Sequence, residues 1–360
     1  MAGRGRGLIF VTQLLDATDP VLGFVPGLLP ALASRCERLV VIANHVRAIP
    51  EGVDADVVSL GKERGDGSVI RSIRYERTLL RLARDRSFGG LLAHMGPVYA
   101  TLASPVVRPR GMRVALWFAH PRDSRRLALA ERFSDVVLTS LPRAYPRRSS
   151  KLVAVGQAVD TARWPFAAPA KRGTSLRVLA LGRTSPVKGY PVVIRGIERA
   201  RDMGLGVQLL LVGPSTTSQE IAHRCELEDL VEALRLSDAV DLRDGMPPDA
   251  LPHIVADADV VVNATQAGSG DKTVFEAMAS GRPVLVSNPA FSDALGDLPV
   301  NLMFPEGDSY VLAKRLAMIT RMSAAERERL GRLLRERVVN GHSLDSWAGA
   351  VTRATLGQGG

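Results

Sequence analysis

Cysteine is nearly missing from this chain. Among 360 residues only Cys36 and Cys225 carry thiols, and they lie far apart in sequence. That argues against a disulfide framework and reads as a reducing, cytosolic compartment. Long apolar runs are missing too. No stretch reaches the roughly 18 apolar residues a membrane span needs. The run Leu8–Val11 is too short for a signal-peptide core, and Gln13 and Asp16 soon interrupt it. Aromatic residues make up only 5%. The basic first half holds few of them, which disfavours a nucleic-acid groove built on stacking platforms. The six histidines (His45, His94, His120, His223, His253, His342) show no ligand spacing such as His-x3-His. Internal repeats and low-complexity tracts are also absent.

What is present is a well-packed composition, 46% hydrophobic and 23% charged, on a length suited to two α/β domains. Short apolar runs alternate with amphipathic segments from end to end. The first series of strand-like runs is Leu8–Val11, Leu39–Ala43, Val57–Leu60, Leu91–Ala93, Val114–Phe118 and Val136–Thr139. A second series follows: Leu176–Leu181, Val207–Val212, Ala239–Leu242, Val260–Asn263 and Pro283–Val286. This is the βα alternation of a doubly wound parallel sheet, appearing twice. Trp164 to Gly173, rich in proline, small residues and charge, reads as the linker. The expected division is 1–165, 166–342 and a last helical segment, 343–360, carrying Leu344, Trp347, Val351 and Leu356 about one per turn.

Charge is unevenly placed. Residues 1–165 hold 25 Lys/Arg against 14 Asp/Glu, while the remainder holds 22 against 23. A basic first half suggests an anionic partner surface, although an Arg-rich compositional habit would look the same. Val69–Arg86 has helical periodicity, with Val69, Ile73, Leu80 and Ala83 on one face and Arg71, Arg74, Arg77, Arg81 and Arg84 over the rest. The apolar face is expected to cover the sheet. The other reading is a basic helix lying on anionic lipid.

Two stretches carry chemistry. In Leu179–Gly189 an apolar strand ends at Gly182, Arg183 follows, and a turn through Pro186 leads to Lys188-Gly189. Ligands of open α/β sheets bind at the carboxyl ends of strands, where two cations can neutralise a diphosphate. In Gly268–Leu285 a loop with Gly268 and Gly270 opens a helix near Thr273. Glycines allow close backbone approach, and free N–H groups at a helix start suit phosphate. Glu276, one turn in, can accept hydrogen bonds from two ribose hydroxyls, or simply favour the helix dipole.

These stretches resemble the retaining glycosyltransferases of family 4, of GT-B fold. The resemblance rests on Gly182-Arg183…Lys188-Gly189 and on Glu276-Ala277-Met278-Ala279-Ser280-Gly281-Arg282-Pro283-Val284, with support from Val155–Asp160 and Phe304–Asp308. It implies two Rossmann-like domains facing a central cleft, with the last helix returning to the N-terminal domain. It also implies a nucleotide-diphosphate sugar as donor and a glycan, lipid-linked or small-molecule acceptor, with no bound metal or other cofactor. Arg183, Lys188 and His120 would act in catalysis. Gly182, Gly268, Ser269, Gly270, Asp271, Lys272, Thr273 and Glu276 would bind the donor. Asp19, Gly23 and His94 would face the acceptor.

One departure stands out. The first glutamate of the family's Glu-x7-Glu element aligns with Gly268, so Asp271, three residues later, is the candidate stand-in. The first-strand loop also lacks a Gly-Gly pair, having only Gly23. Two alternatives therefore stay open: a sugar-nucleotide epimerase or hydrolase of the same fold, and a sugar-nucleotide-binding scaffold without turnover.

Overall fold

The computed structural model of the chain describes residues 5–19, 22–48, 52–169, 175–266 and 270–357. It divides into two compact units, one running to Ala158 and resuming at Leu344, the other Val159–Ser343. The division falls earlier than the composition change suggests. Trp164 and Phe166 pack inside the second unit, Trp164 buried and Phe166 against Gly281.

The first unit runs β1 (Gly7–Leu15), α1 (Val25–Ala33), β2 (Arg38–Val46), β3 (Asp56–Ser59), α2 (Ser68–Leu82), β4 (Phe88–His94), α3 (Pro97–Val107), β5 (Arg113–Trp117), α4 (Arg125–Phe133), β6 (Val136–Thr139) and β7 (Leu152–Ala154). Its sheet has the order β3-β2-β1-β4-β5-β6-β7, with parallel pairing throughout. The central strands are apolar on both faces because both faces are covered. Leu8 and Phe10 join Leu28, Leu29 and Leu32 of α1 on one side. Ile9 and Val11 join Tyr75, Leu79, Ala100 and Ala103 of α2 and α3 on the other.

The second unit runs β8 (Leu176–Leu181), α5 (Tyr190–Asp202), β9 (Val207–Val212), α6 (Ser218–Ala233), β10 (Val240–Arg243), α7 (Leu251–Asp257), β11 (Val260–Asn263), α8 (Lys272–Ala279), β12 (Val284–Val286), α9 (Ser292–Leu295), α10 (Ser309–Arg321) and α11 (Ala324–Gly341). The order is β10-β9-β8-β11-β12, again parallel. Buried Arg282 donates to the carbonyls of Ala258, Ala167 and Ala168, which ties the linker to this unit. The last helix, α12 (Leu344–Leu356), packs in the first unit, with Trp347, Ala348 and Val351 in the α1 core. Gly90 permits this: a Cβ there would stand 2.8 Å from the Thr355 carbonyl oxygen.

The strand positions follow the apolar runs; only β7 has no counterpart in the sequence reading. The face of α2 needs correction. Tyr75, Thr78, Leu79 and Leu82 are buried, whereas Val69, Ile70, Ile73 and Leu80 are exposed, Val69 at 70%. Tyr75 decides the rotation. It is the bulkiest side chain of the helix, its ring meets Tyr99 edge-on at 5.2 Å, and its hydroxyl donates to the Tyr99 carbonyl at 3.0 Å. Turning Tyr75 inward also buries Leu79 and Leu82 and gives the tyrosine hydroxyl an acceptor.

Candidate functional site

In the second unit the loops after β8 and β11 converge at the carboxyl edge of the sheet. Gly182 sits at φ +133°, and a Cβ there would come within 3.0 Å of Lys188 Nζ. Only glycine allows that backbone and leaves room for the lysine. Tyr190 anchors the turn by donating to the Gly182 carbonyl at 2.7 Å. Burial raises the Tyr190 hydroxyl's pKa, so it remains a donor.

Arg183 leaves this turn half exposed and donates to Glu220 Oε1 at 2.8 Å. Glu220 is itself buried in the first turn of α6. Its other oxygen accepts from the amide and hydroxyl of Thr216 at 2.9 and 2.7 Å. Burial alone would raise its pKa; the Thr216 hydrogen bonds and the Arg183 charge more than reverse that, and the carboxyl stays ionised. The sequence reading missed Glu220 because 37 residues separate it from Arg183.

Lys188 pairs with Asp271. The same Asp271 oxygen accepts from Asn263 Nδ2 at 2.9 Å and Thr265 Oγ1 at 3.4 Å. The other caps α8 through the Thr273 amide at 3.3 Å and hydroxyl at 3.0 Å. Burial raises the Asp271 pKa, and the Lys188 charge with these donors drives it below the usual carboxylate range. Asp271 thus joins the two loops. Gln266 adds a second tie, its amide donating to the Val187 carbonyl at 2.9 Å, and Asn288 holds the Gln266 carbonyl at 3.2 Å.

Glu276 is half-buried one turn further along α8. Its carbonyl accepts the Ser280 amide at 3.1 Å, while its carboxylate takes no hydrogen bond from a side chain or amide of the described residues. Burial raises its pKa, with Lys272 opposing; burial in turn lowers that of Lys272. Gly270 opens the same turn, and Gly268 and Ser269 lie outside the described residues. The structure therefore brings Gly182, Arg183, Lys188, Gly270, Asp271, Lys272, Thr273 and Glu276 to one sheet edge. Three cations, a helix start and the Glu276 carboxylate there suit a diphosphate and a ribose.

The first unit holds the remaining candidates at the carboxyl edge of its own sheet. In the loop after β1, Asp19 Oδ1 accepts from the Leu22 amide at 2.6 Å, and the Gly23 amide donates to the Asp19 carbonyl at 3.0 Å. A Cβ on Gly23 would collide with that carbonyl. Pro20 and Val21 lie outside the described residues. His94 is sealed in: it stacks on Trp117 at 4.8 Å, meets Phe24 edge-on at 6.0 Å, and burial pushes its pKa down to about 4. It is a neutral ring, with Nδ1 3.5 Å from Thr12 Oγ1. His120, half-buried after β5, accepts the Arg122 amide on Nδ1 at 3.1 Å, which leaves the proton of its neutral form on Nε2. No cluster of His, Cys, Asp or Glu suited to a metal occurs among the described residues, and no described helix is long and apolar enough to cross a membrane.

Two parallel Rossmann-like sheets with these strand orders make the GT-B fold. Sucrose-phosphate synthase from Thermosynechococcus elongatus superposes with a TM-score of 0.73 at 17% identity, over 98% of this chain and 100% of that one. Anabaena Alr3699/HepE, solved in complex with UDP and glucose, gives 0.71 at 15%, over 98% and 99%.

More particularly, residues 175–321 match the family Glycosyl transferases group 1. Mannosylfructose-phosphate synthase of Agrobacterium fabrum is 30% identical over 48% of this chain and 38% of its own length. The putative colanic acid biosynthesis glycosyltransferase WcaL of Escherichia coli is 25% identical over 52% and 47%. The chain thus matches less than half the length of either relative.

Proposed function

We propose that the protein is a retaining hexosyltransferase using a nucleoside-diphosphate sugar. The observation that carries this is the convergence of Arg183, Lys188 and Glu276 on one sheet edge, held there by Glu220 and Asp271. In this reading Arg183 and Lys188 receive the donor diphosphate and stabilise the charge that grows on it as the sugar–oxygen bond breaks. Glu276 accepts the ribose hydroxyls. Gly182 and the loop through Gly268, Ser269, Gly270 and Thr273 bring backbone amides to the phosphates, with Lys272 and Asp271 fixing the start of α8. Asp271 serves as the acidic member of the loop in place of the glutamate missing at Gly268. His120 would donate from Nε2 to the donor sugar, and the loop of Asp19 and Gly23, with His94 beneath it, would shape the acceptor side. No metal is required.

The UDP-bound neighbour makes a uridine donor the first to test. The test is binding and hydrolysis of a nucleotide-sugar panel by wild type, Arg183→Ala and Glu276→Ala. Both variants are expected to lose about 100-fold in turnover or affinity for the preferred donor. If no nucleotide sugar binds wild type at about millimolar concentration, the reading fails.

A lipid-linked or cell-envelope acceptor, met at the cytoplasmic face of a membrane, is favoured by one further observation. The exposed stripe Val69, Ile70 and Ile73 lies beside Arg77 and Arg81, and Ile70 and Ile73 share a shallow groove with both arginines. Apolar side chains among exposed arginines suit an anionic bilayer surface.

A further inference from the structure

A second polar cluster lies in the first unit, on the sheet face opposite His94, and its chemistry is one-sided. Arg71, in the first turn of α2, donates from Nη1 to Asn44 Oδ1 at 2.7 Å. Asn44, buried near the end of β2, donates in turn to Gln13 Oε1 of β1 at 3.4 Å. Arg71 forms no ion pair with any described carboxylate, and its Nε is buried without a partner. Tyr99, 92% buried in the first turn of α3, turns its hydroxyl to the same cluster without being one of the sealed, unpartnered polar atoms, of which Arg71 Nε is one. It lies close enough to Arg71 for the guanidinium to oppose the effect of burial, which still pushes its pKa to about 12. Tyr75 fixes that ring through its backbone carbonyl.

Gly96 completes the cluster. A Cβ there would meet the Tyr99 ring at 2.5 Å and Gln13 Nε2 at 3.2 Å. Glycine is what lets the β4 edge approach both groups. The result is a set of donors with one unneutralised guanidinium: Arg71 Nε and its fork, Gln13 Nε2 and Tyr99 Oη. It lies at the carboxyl edge of β1, β2 and β4, where such sheets bind ligands. A buried donor without an acceptor is costly, and a guanidinium fork matches the oxygens of a phosphate.

We propose that Arg71, Gln13 and Tyr99 form an acceptor subsite that receives a phosphate group of the acceptor. This rests on the transferase reading above and narrows its acceptor to phosphorylated molecules, whether a soluble sugar phosphate or a lipid-linked phosphate.

The test compares matched acceptors with and without phosphate, glucose against glucose 6-phosphate and fructose against fructose 6-phosphate, together with a short-chain polyprenyl phosphate. Wild type, Arg71→Gln, Arg71→Lys and Tyr99→Phe are compared with the preferred donor. Wild type is expected to favour phosphorylated acceptors by at least about 100-fold in kcat/KM. Arg71→Gln collapses that ratio by about 10- to 100-fold, chiefly through KM, the size of a lost charge-assisted hydrogen bond. Arg71→Lys restores part of the ratio, which a merely misfolded variant would not do. A best rate with the sugar phosphates assigns a soluble source, and a best rate with the polyprenyl phosphate a lipid one.

Inorganic phosphate supplies a readout free of turnover. With UDP saturating, it should raise the Tm of wild type more than that of Arg71→Gln. Equal use of both members of each pair, or equal thermal response of the two proteins, overturns the subsite. Failure of wild type to bind any nucleotide sugar would instead sink the transferase reading, while the phosphate response still judges Arg71.

Discussion

In the second unit two of the cations beside the sheet edge are held by carboxylates: Glu220 holds Arg183 and Asp271 holds Lys188. In the first unit Arg71 has, among the described residues, the amide oxygen of Asn44 and no carboxylate. The first arrangement fixes a cation's position at the cost of part of its charge, so an arriving diphosphate adds to an existing network. The second leaves the charge open and depends on neutral neighbours for orientation. The net charges of the halves follow the same division. The first half is basic and the second near balance, so anion attraction at longer range belongs to the first.

The largest effect on this comparison should come from Asp271→Ala. It strips a largely covered lysine, its side chain 18% exposed, of its partner and α8 of its cap, at up to about 3 kcal/mol for the broken pair and about 1 kcal/mol for the cap. Glu220→Gln should cost clearly less, because Arg183 is half exposed and Thr216 can still donate to the amide oxygen. Denaturant midpoints of the two variants measure the difference; equal losses would break the distinction between a largely covered pair and a half-exposed one.

A pH series sharpens it within one helix. Asp271 is held below its unfolded pKa, so its stabilisation is present above the unfolded value and is lost as pH falls through the folded one. Glu276 is raised, so its contribution is full below the unfolded pKa of about 4.3 and is lost as pH rises through the folded value. Glu276→Gln should therefore gain stability relative to wild type as pH climbs through that window, then hold a constant difference. A Tm difference independent of pH would show that burial does not govern Glu276.

The smallest stability effect is expected for Val69→Ser with Ile73→Ser, about 0.5 kcal/mol or less each, since both are exposed. Sedimentation with anionic phosphatidylglycerol vesicles should nevertheless drop several-fold. Undiminished vesicle binding would remove the membrane reading and leave the cluster around Arg71 as the anion-facing part of this unit.

Strands β1, β2, β4 and β8 were legible because an apolar run in a buried parallel strand needs no knowledge of its partners. β7 was not, being a three-residue edge strand with Val153 exposed. α2 was legible as a helix, but its sequence carries two apolar stripes. Only the presence of Tyr99 opposite Tyr75 selects the one that turns inward.

Gly182, Lys188 and Glu276 could be picked out in sequence because each sits in a short segment whose backbone demands are local: a positive φ, a turn, a first helical turn. Their partners could not. Glu220 lies 37 residues from Arg183 and Asn44 lies 27 from Arg71. Sequence alone determined the alternation of strand and helix, the doubling of the sheet and the placing of charge in the first half, since these depend on periodicity and composition. Tertiary structure decided which face of α2 is buried, which carboxylate holds Arg183 and Lys188, and that Arg71 meets none among the described residues. Those outcomes depend on distances between residues remote in the chain, set only when the strands have taken their order.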